Sequence, residues 1–435
     1  MMSAGFFEQH RYNVSKGPLH EGADALPGAP PAKLPVRLIA YYLPQFHAIP
    51  ENDRWWGKGF TEWSNVTKAI PRYLGHRQPN LPADLGFYDL SQADVLRRQA
   101  ELAKRAGIYG FCIHDYWFSG VKVLETPLKL LLENPDIDLP FCLDWANENW
   151  SRRWDGSEDD ILLEQKFHPG DDAGYARSIL SALRDPRYIR IDGRPLIMIY
   201  RPSLLPNAAE WVKSWRGFFT ANGVASPYFV LAQSFGEMDP CVFGMDAAAG
   251  FPPHHGGWDL PNDRDDIRLL DIEFAGEAHS YAALVSRILA NNPNEYRLFP
   301  GVCPRWDNEA RKPGHGVSFY GSTPRSYGEW LYAAARRAMA ATAADERIVF
   351  INAWNEWAEG AYLEPDRHYG FAFLAETRRV LDTLAAGDVP TRRNIVADGG
   401  DLMQARPSRH ARFINRLAKL QRKIHRRLAR ARSKE

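Results

Sequence analysis

Short apolar runs recur along the chain, each ending in polar and aromatic residues and each joined to the next by a mostly helical stretch. The first run spans 36–44 (VRLIAYYLP), the second 108–117 (IYGFCIHDYW) and the third 139–150 (LPFCLDWANENW). The fourth and fifth span 195–202 (PLIMIYRP) and 228–235 (YFVLAQSF). The sixth, 245–253 (MDAAAGFPP), is the weakest, and 297–308 and 347–360 complete the set. Helical periodicity fills 92–106, 126–133, 172–183, 208–222, 281–290, 326–342 and 368–386. Short strands apolar on both faces, alternating with helices, predict a parallel sheet with crossover helices. Eight such units predict an α/β fold, a (β/α)8 TIM barrel. The rival is a doubly wound open sheet. It loses support because no GxGxxG follows the first run and no GxxxxGK[ST] occurs.

Residues 1–35, with Pro27, Pro30, Pro31 and Pro35, predict a loose, flexible lead-in. The barrel is expected over 36–390 and a separate basic tail over 401–435. The net charge of +1 averages two unlike pieces. The tail holds 12 basic and 2 acidic residues, a balance of +10, which leaves the first 400 residues at −9. In the tail Phe413, Leu417, Leu420, Ile424 and Leu428 recur every three or four positions among arginines and lysines. That is a basic amphipathic helix pattern, expected to sit on an anionic membrane surface or to pair with a partner helix. Nucleic acid is not expected, because the body is acidic and no recognition motif occurs. No apolar run reaches the roughly 18 residues of a spanning helix. The N-terminal residues show no secretory pattern. Four scattered cysteines suit reduced thiols. The expected location is cytoplasmic, peripheral at the inner membrane.

In a barrel of this kind, chemistry gathers at the C-terminal ends of the strands. Those ends carry Tyr41; His114, Asp115 and Tyr116; Asp144, Trp145, Asn147 and Glu148; and Tyr200. Further round come Gln233, the pair His254 and His255, and Trp306 with Arg305 and Asp307. The last end carries Asn355, Glu356, Trp357 and Glu359. The long first loop adds Trp56, Glu62 and Trp63 as cleft walls, and Trp154 follows the third run. Aromatic residues make up 12% of the chain, and flat rings among polar groups suit pyranose binding. Glu356 and Glu359, three apart beside tryptophan, suit acid/base work on a glycosidic bond, which needs one proton donor and a second carboxylate. Glu148 is the alternative catalytic carboxylate. Apart from His254, His255, Arg305 and Asp307, the other residues named, Glu148 included, are expected to hold substrate, an oligosaccharide or lipid-linked glycan. The His254–His255 spacing matches no zinc signature closely, so neither metal nor cofactor is expected. The competing reading is a sugar-binding barrel without turnover.

Several stretches then match one family together: YYLPQFH at 41–47, WWGKGFTEW at 55–63, CLDWANENWSRRWDG at 142–156, and AWNEWAEG with LEPD at 353–366. The chain resembles the WbsX-type, glycoside hydrolase family 99-like group found in lipopolysaccharide and O-antigen gene sets, from about residue 36 to 386. The resemblance implies a (β/α)8 barrel. It also implies kinship with retaining hydrolases of α-mannosides, and members of the group are often labelled glycosyltransferases. In the hydrolases the first glutamate of the NEWxEG stretch deprotonates the sugar 2-hydroxyl, which attacks C1 to give a 1,2-anhydro intermediate; the second is acid, then base. Carried over, Glu356 is the base and Glu359 the acid/base. Ala358 stands where the mannosidases commonly have histidine.

Overall fold

The computed structural model describes residues 4–152, 157–290 and 295–388; of residues 4, 152 and 157–160 it describes the backbone only. All eight apolar runs form strands: β1 (Arg37–Tyr42), β2 (Ile108–Phe118), β3 (Phe141–Trp145), β4 (Arg194–Ile199), β5 (Tyr228–Gln233), β6 (Ala247–Gly250), β7 (Leu298–Phe299 and Gly301–Val302) and β8 (Ile348–Ile351). They pair in parallel in chain order, and β1 pairs with β8. The ring closes through β7, whose first piece pairs with β6 and whose second pairs with β8. Pro300 sits between the two pieces and has no N–H to give a ladder. Its carbonyl still accepts from Phe350 N at 2.9 Å. The result is a (β/α)8 barrel, nearly closed.

The physical cause is burial on both faces. Leu38, Ile39 and Ala40 of β1, and Ile348 to Ile351 of β8, are fully buried. Inward side chains fill the barrel and outward ones meet helices. Helices follow seven of the eight strands: Ala93–Ala106, Thr126–Glu133, Asp171–Arg184, Ala208–Ala221, Tyr281–Ala290, Pro324–Ala338 and Ala372–Ala386. Between β5 and β6 there is only the 3-10 turn Pro240–Phe243. The helix after β7 begins two residues before the expected 326. Thr323 Oγ1 accepts from Ser326 N, Ser326 Oγ accepts from Thr323 N, and Pro324 takes the first helical position.

The N-terminal segment corrects the expectation of a loose lead-in. Ala4–Val14 is a helix whose Phe6, Gln9 and Asn13 are buried. Asn13 Nδ2 donates to the carbonyls of His76 and Gln78, both at 2.7 Å. Glu21 binds Arg379 through both oxygens, at 2.8 and 2.9 Å. Proline and glycine content suggested slack chain, but a few buried amides tie the segment to loops far away in sequence. Trp154 and the basic tail lie outside the described residues. Among the described residues no helix is long and apolar enough to cross a membrane.

Candidate active site

The eighth strand ends at Ile351, and the chain then folds into a tight hairpin. Asn355 and Glu356 pair antiparallel with Tyr362 and Ala361, with a 3-10 turn over Trp357–Glu359 between them. Gly360 closes the turn at φ +63°, and a Cβ there would meet Asp307 atoms at 3.2 Å. Both arms of the hairpin are anchored. Asn355 accepts from Leu43 N at 2.8 Å and donates to Leu43 O at 2.9 Å. Trp357 stacks on Tyr362 at 3.8 Å and donates to Glu364 at 2.6 Å. Glu356 and Glu359 are thus held on a rigid element at the barrel mouth.

Arg311, from the loop after β7, joins the carboxylates. Its Nη1 lies 2.6 Å from Glu359 and its Nη2 lies 2.9 Å from Glu356. Its Nε and Nη2 lie 3.2 and 3.3 Å from Glu62. Glu62 opens the short helix Glu62–Val66 of the first loop, is fully buried, and also accepts from Asn65 at 2.9 Å. Three carboxylates therefore face one guanidinium in a largely dry place. Burial pushes the Glu356 carboxyl up to about 7; Glu359 and Glu62 add to the rise, while Arg311 and His114 oppose it. Burial alone would lower the pKa of Arg311, but the three glutamates outweigh it and hold the guanidinium charged.

His114 and Tyr116 of β2 and Asp144 of β3 share this space. His114 and Asp144 are register neighbours on adjacent strands. The His114 Nδ1 lies 2.9 Å from Asp144, which is fully buried. Burial would lower the imidazole pKa, but the Asp144 carboxylate, with smaller help from Glu356 and Glu359, raises it. The Tyr116 phenol is raised by burial first and then by Glu356, which places it against the cluster. Tyr41 lies one layer deeper. Its ring is roughly parallel to His114 at 5.9 Å, and its hydroxyl meets Met198 Sδ at 3.2 Å. Tyr200 borders the cluster; burial, Glu148 and Glu359 raise its phenol. Glu148 pairs with Arg201 at 2.6 Å beside it.

Other expected contacts are turned away. Strand side chains alternate, so His114 and Asp144 point inward while Asp115 and Trp145 point outward. Asp115 pairs with Lys122 at 2.9 Å, and Trp145 stacks on Tyr175 at 4.2 Å in the helix layer. Asn147 holds the Arg201 backbone through both its amide atoms. Gln233 is buried and donates to Tyr296 and Met238 O. Trp63 and Trp357 pack on one another in the core, and Asn355 is a hairpin anchor. Trp306 is 2% exposed beneath Trp258. Trp56 is half-buried against Phe60 on the first loop. Apart from Trp56, these residues are buried in the layer that supports the mouth.

Two participants escaped the sequence reading. Arg311 stands in no motif, and its partners come from three separate segments. Glu364 lies in the LEPD stretch, which did stand out. Behind the hairpin it accepts from Trp357, from Gln99 at 2.7 Å and from Tyr88 at 2.9 Å, and burial pushes it up to about 7. Among the described residues no group of three or more His, Cys, Asp or Glu side chains is arranged to hold a metal ion.

Comparison with known proteins fits this frame. The family model described as Glycosyltransferase WbsX matches residues 38–377. Two relatives, each called Uncharacterized protein WxcX and from two strains of Xanthomonas campestris pv. campestris, are 45% identical over 361 residues, covering 83% of this chain and 51% of theirs. The chain spans about half the length of these curated relatives. A solved GH99 endo-alpha-mannosidase from Bacteroides thetaiotaomicron matches with a TM-score of 0.50 at 16% identity, covering 80% of this chain and 98% of that one. A solved glycoside hydrolase-like protein matches with a TM-score of 0.50 at 14% identity, covering 84% of this chain and 99% of that one. These likenesses show the shared fold.

Proposed function

The chain belongs to the Glycosyltransferase WbsX family, a carbohydrate-active group, and on that premise we propose that it cleaves or transfers glycosyl units with Glu356 and Glu359 as a paired base and acid. The observation that carries the reading is the cluster of Glu62, Glu356 and Glu359 around Arg311, with Glu356 poised at about 7.

By analogy with the hydrolase relatives, Glu356 takes the proton of the sugar 2-hydroxyl while that oxygen attacks C1. The bond from C1 to the leaving oxygen breaks, and Glu359 gives that oxygen a proton. Water or an acceptor hydroxyl then gives its proton to Glu359 and attacks C1. The C1–O2 bond opens, and O2 recovers its proton from Glu356. Water completes hydrolysis and an acceptor hydroxyl completes transfer, both with retention. Arg311 steadies whichever carboxylate is ionised, and His114, held by Asp144, faces the pair. The mechanism needs a free 2-hydroxyl. Ala358 offers no imidazole, so the proposed substrate is a glycoside with that hydroxyl and not a mannoside alone.

Charge favours a glycoside donor over a nucleotide-sugar. Three carboxylates beside one guanidinium leave the site negative even when Glu356 holds its proton, which repels a pyrophosphate. An alkoxide leaving group also needs an acid, whereas a phosphate leaves without one. A glycan panel, assayed with and without nucleotide-sugars, tests this. Glu356→Gln and Glu359→Gln should each lose at least about a hundredfold in turnover. Full activity in both variants overturns the assignment, and turnover that requires a nucleotide-sugar overturns the glycoside donor. We also assign to this proposal a role in cell-surface polysaccharide metabolism, and binding of residues 401–435 to anionic membrane. Vesicle sedimentation with and without that segment checks the latter.

A further inference from the structure

Going round the mouth from β8 towards β5, the catalytic cluster gives way to exposed rings. Asp307 N donates to Glu359 O at 2.5 Å, which ties the hairpin to the loop after β7. The next residue back, Trp306, is buried and carries Trp258 at 5.0 Å and 78°. Trp258, after β6, is 41% exposed. His254 and Phe319 also meet it in edge-to-face pairs, at 72° and 61°, so among the described residues no ring lies parallel on Trp258. Phe235, after β5, is 47% exposed and lies 6.1 Å from His254.

Phe235 is strained as well as exposed. Its φ is +50°, in the left-handed region that disfavours a bulky residue. Such a conformation costs on the order of 1–3 kcal/mol and persists where the surroundings demand it, often at binding sites. The tight turn over Ser234–Glu237, closed by Glu237 N donating to Ser234 O at 2.9 Å with Gly236 also at positive φ, sets the angle and presents a side chain that is nearly half in water. The Arg201 guanidinium covers one face of the ring at 4.3 Å, and the Tyr200 ring lies edge-on at 6.2 Å. Around these rings lie Glu148 and Glu237, both beside Arg201.

We propose that Trp258 and Phe235 form a distal subsite that stacks a neutral pyranose of the same glycan whose bond is broken at Glu356 and Glu359. This rests on the glycan reading above and extends it: the substrate is an oligosaccharide that runs from the β8 hairpin across β7 to the ends of β6 and β5. A pyranose presents a face of polarised C–H groups, which suits the electron-rich face of an indole. Glu148, Arg201 and Glu237 supply acceptors and donors at the edge, where the hydroxyls of a stacked sugar project.

The test uses the full chain in a Glu356→Gln, Glu359→Gln background, so that ligand is bound without turnover. The probes are neutral α-linked mannose oligosaccharides two to five sugars long, titrated by calorimetry. Affinity should rise with length. Trp258→Ala and Phe235→Ala should each lose about tenfold on the longest probe, and less on the shortest. Trp258→Phe should recover most of the loss, which a merely folding-related defect would not allow. Thermal melts verify folding, and Val242→Ala, 70% exposed on the turn between β5 and β6, serves as the control. If the parent binds the series and the ring variants bind every length equally well, the subsite is overturned while the glycan reading stands. If the parent binds none of the series, the subsite is overturned, and the glycan panel decides the glycan reading separately.

Discussion

Replacing Glu356 by glutamine removes one titrating carboxyl and keeps its size. The group is 6% exposed, and burial pushes it from the ordinary 4.5 to about 7. The folded chain therefore holds this proton over a window in which the unfolded chain has released it. Stability from this group is full below about 4.5 and falls as pH rises through about 7, the sign expected for a raised pKa. The difference corresponds to about 3 kcal/mol. Glu364 is also pushed up to about 7 by burial and gives a similar fall, but it is present in both proteins and cancels in the comparison. Urea unfolding in small pH steps from about 4.5 to about 8 should show the parent losing about 3 kcal/mol more than Glu356→Gln. If the two curves run parallel, Glu356 does not keep its proton towards neutrality. The same pKa sets the catalytic limb. With Glu356 as base, kcat/KM rises through about 7; a fall there would exchange its role with that of Glu359.

Arg311→Met leaves the buried Glu62 and Glu356 and the half-buried Glu359 without their cation and should cost about 3–5 kcal/mol near neutral pH. The loss should shrink at about pH 5, where protonation relieves the repulsion, and a pH-independent loss in thermal melts contradicts the account. Asp144→Asn removes the partner that raises His114, so the imidazole should titrate at lower pH; an unmoved NMR midpoint contradicts it. Gly360→Ala forces a side chain into φ +63° and towards Asp307, which should cost about 1–2 kcal/mol and reduce turnover by displacing Glu359. Melting and turnover measured together check this.

The barrel was legible because burial on two faces imposes continuous apolar runs, and all eight contain a strand, although the seventh and eighth strands end at Val302 and Ile351, well before their runs do. The closeness of Glu356 and Glu359, proposed as the acid and base, was legible because they share one short hairpin. What escaped was the layer that depends on side-chain direction. Trp63 looked like a cleft wall, and Trp145 and Trp357 like substrate contacts, because tryptophan beside carboxylate suggests sugar, but strand alternation and hairpin packing turn them into the core. Arg311 gave no signal, since a lone arginine in a loop acquires meaning only when three distant segments meet. Phe235 and Trp258 stand apart only through exposure and a backbone angle, neither of which a residue name reveals. The N-terminal helix was hidden by its proline-rich continuation.

The divided seventh strand bears on how the barrel opens. Gly301 approaches β6 so closely that a Cβ on it would fall 1.9 Å from the carbonyl oxygen of Gly250. Each piece of β7 contributes two residues to the ladder, so this seam has the fewest rungs in the ring. Local opening starts where cooperative pairing is thinnest. The seam lies directly below Trp306 and Asp307, which link the carboxylate hairpin to the exposed rings. Breathing of the sheet is thereby concentrated under the stretch that joins the reacting end of the mouth to its far end. Amide exchange should accordingly be quicker at Gly301 and Val302 than in β1, and equal rates would show that the short ladder does not loosen this seam.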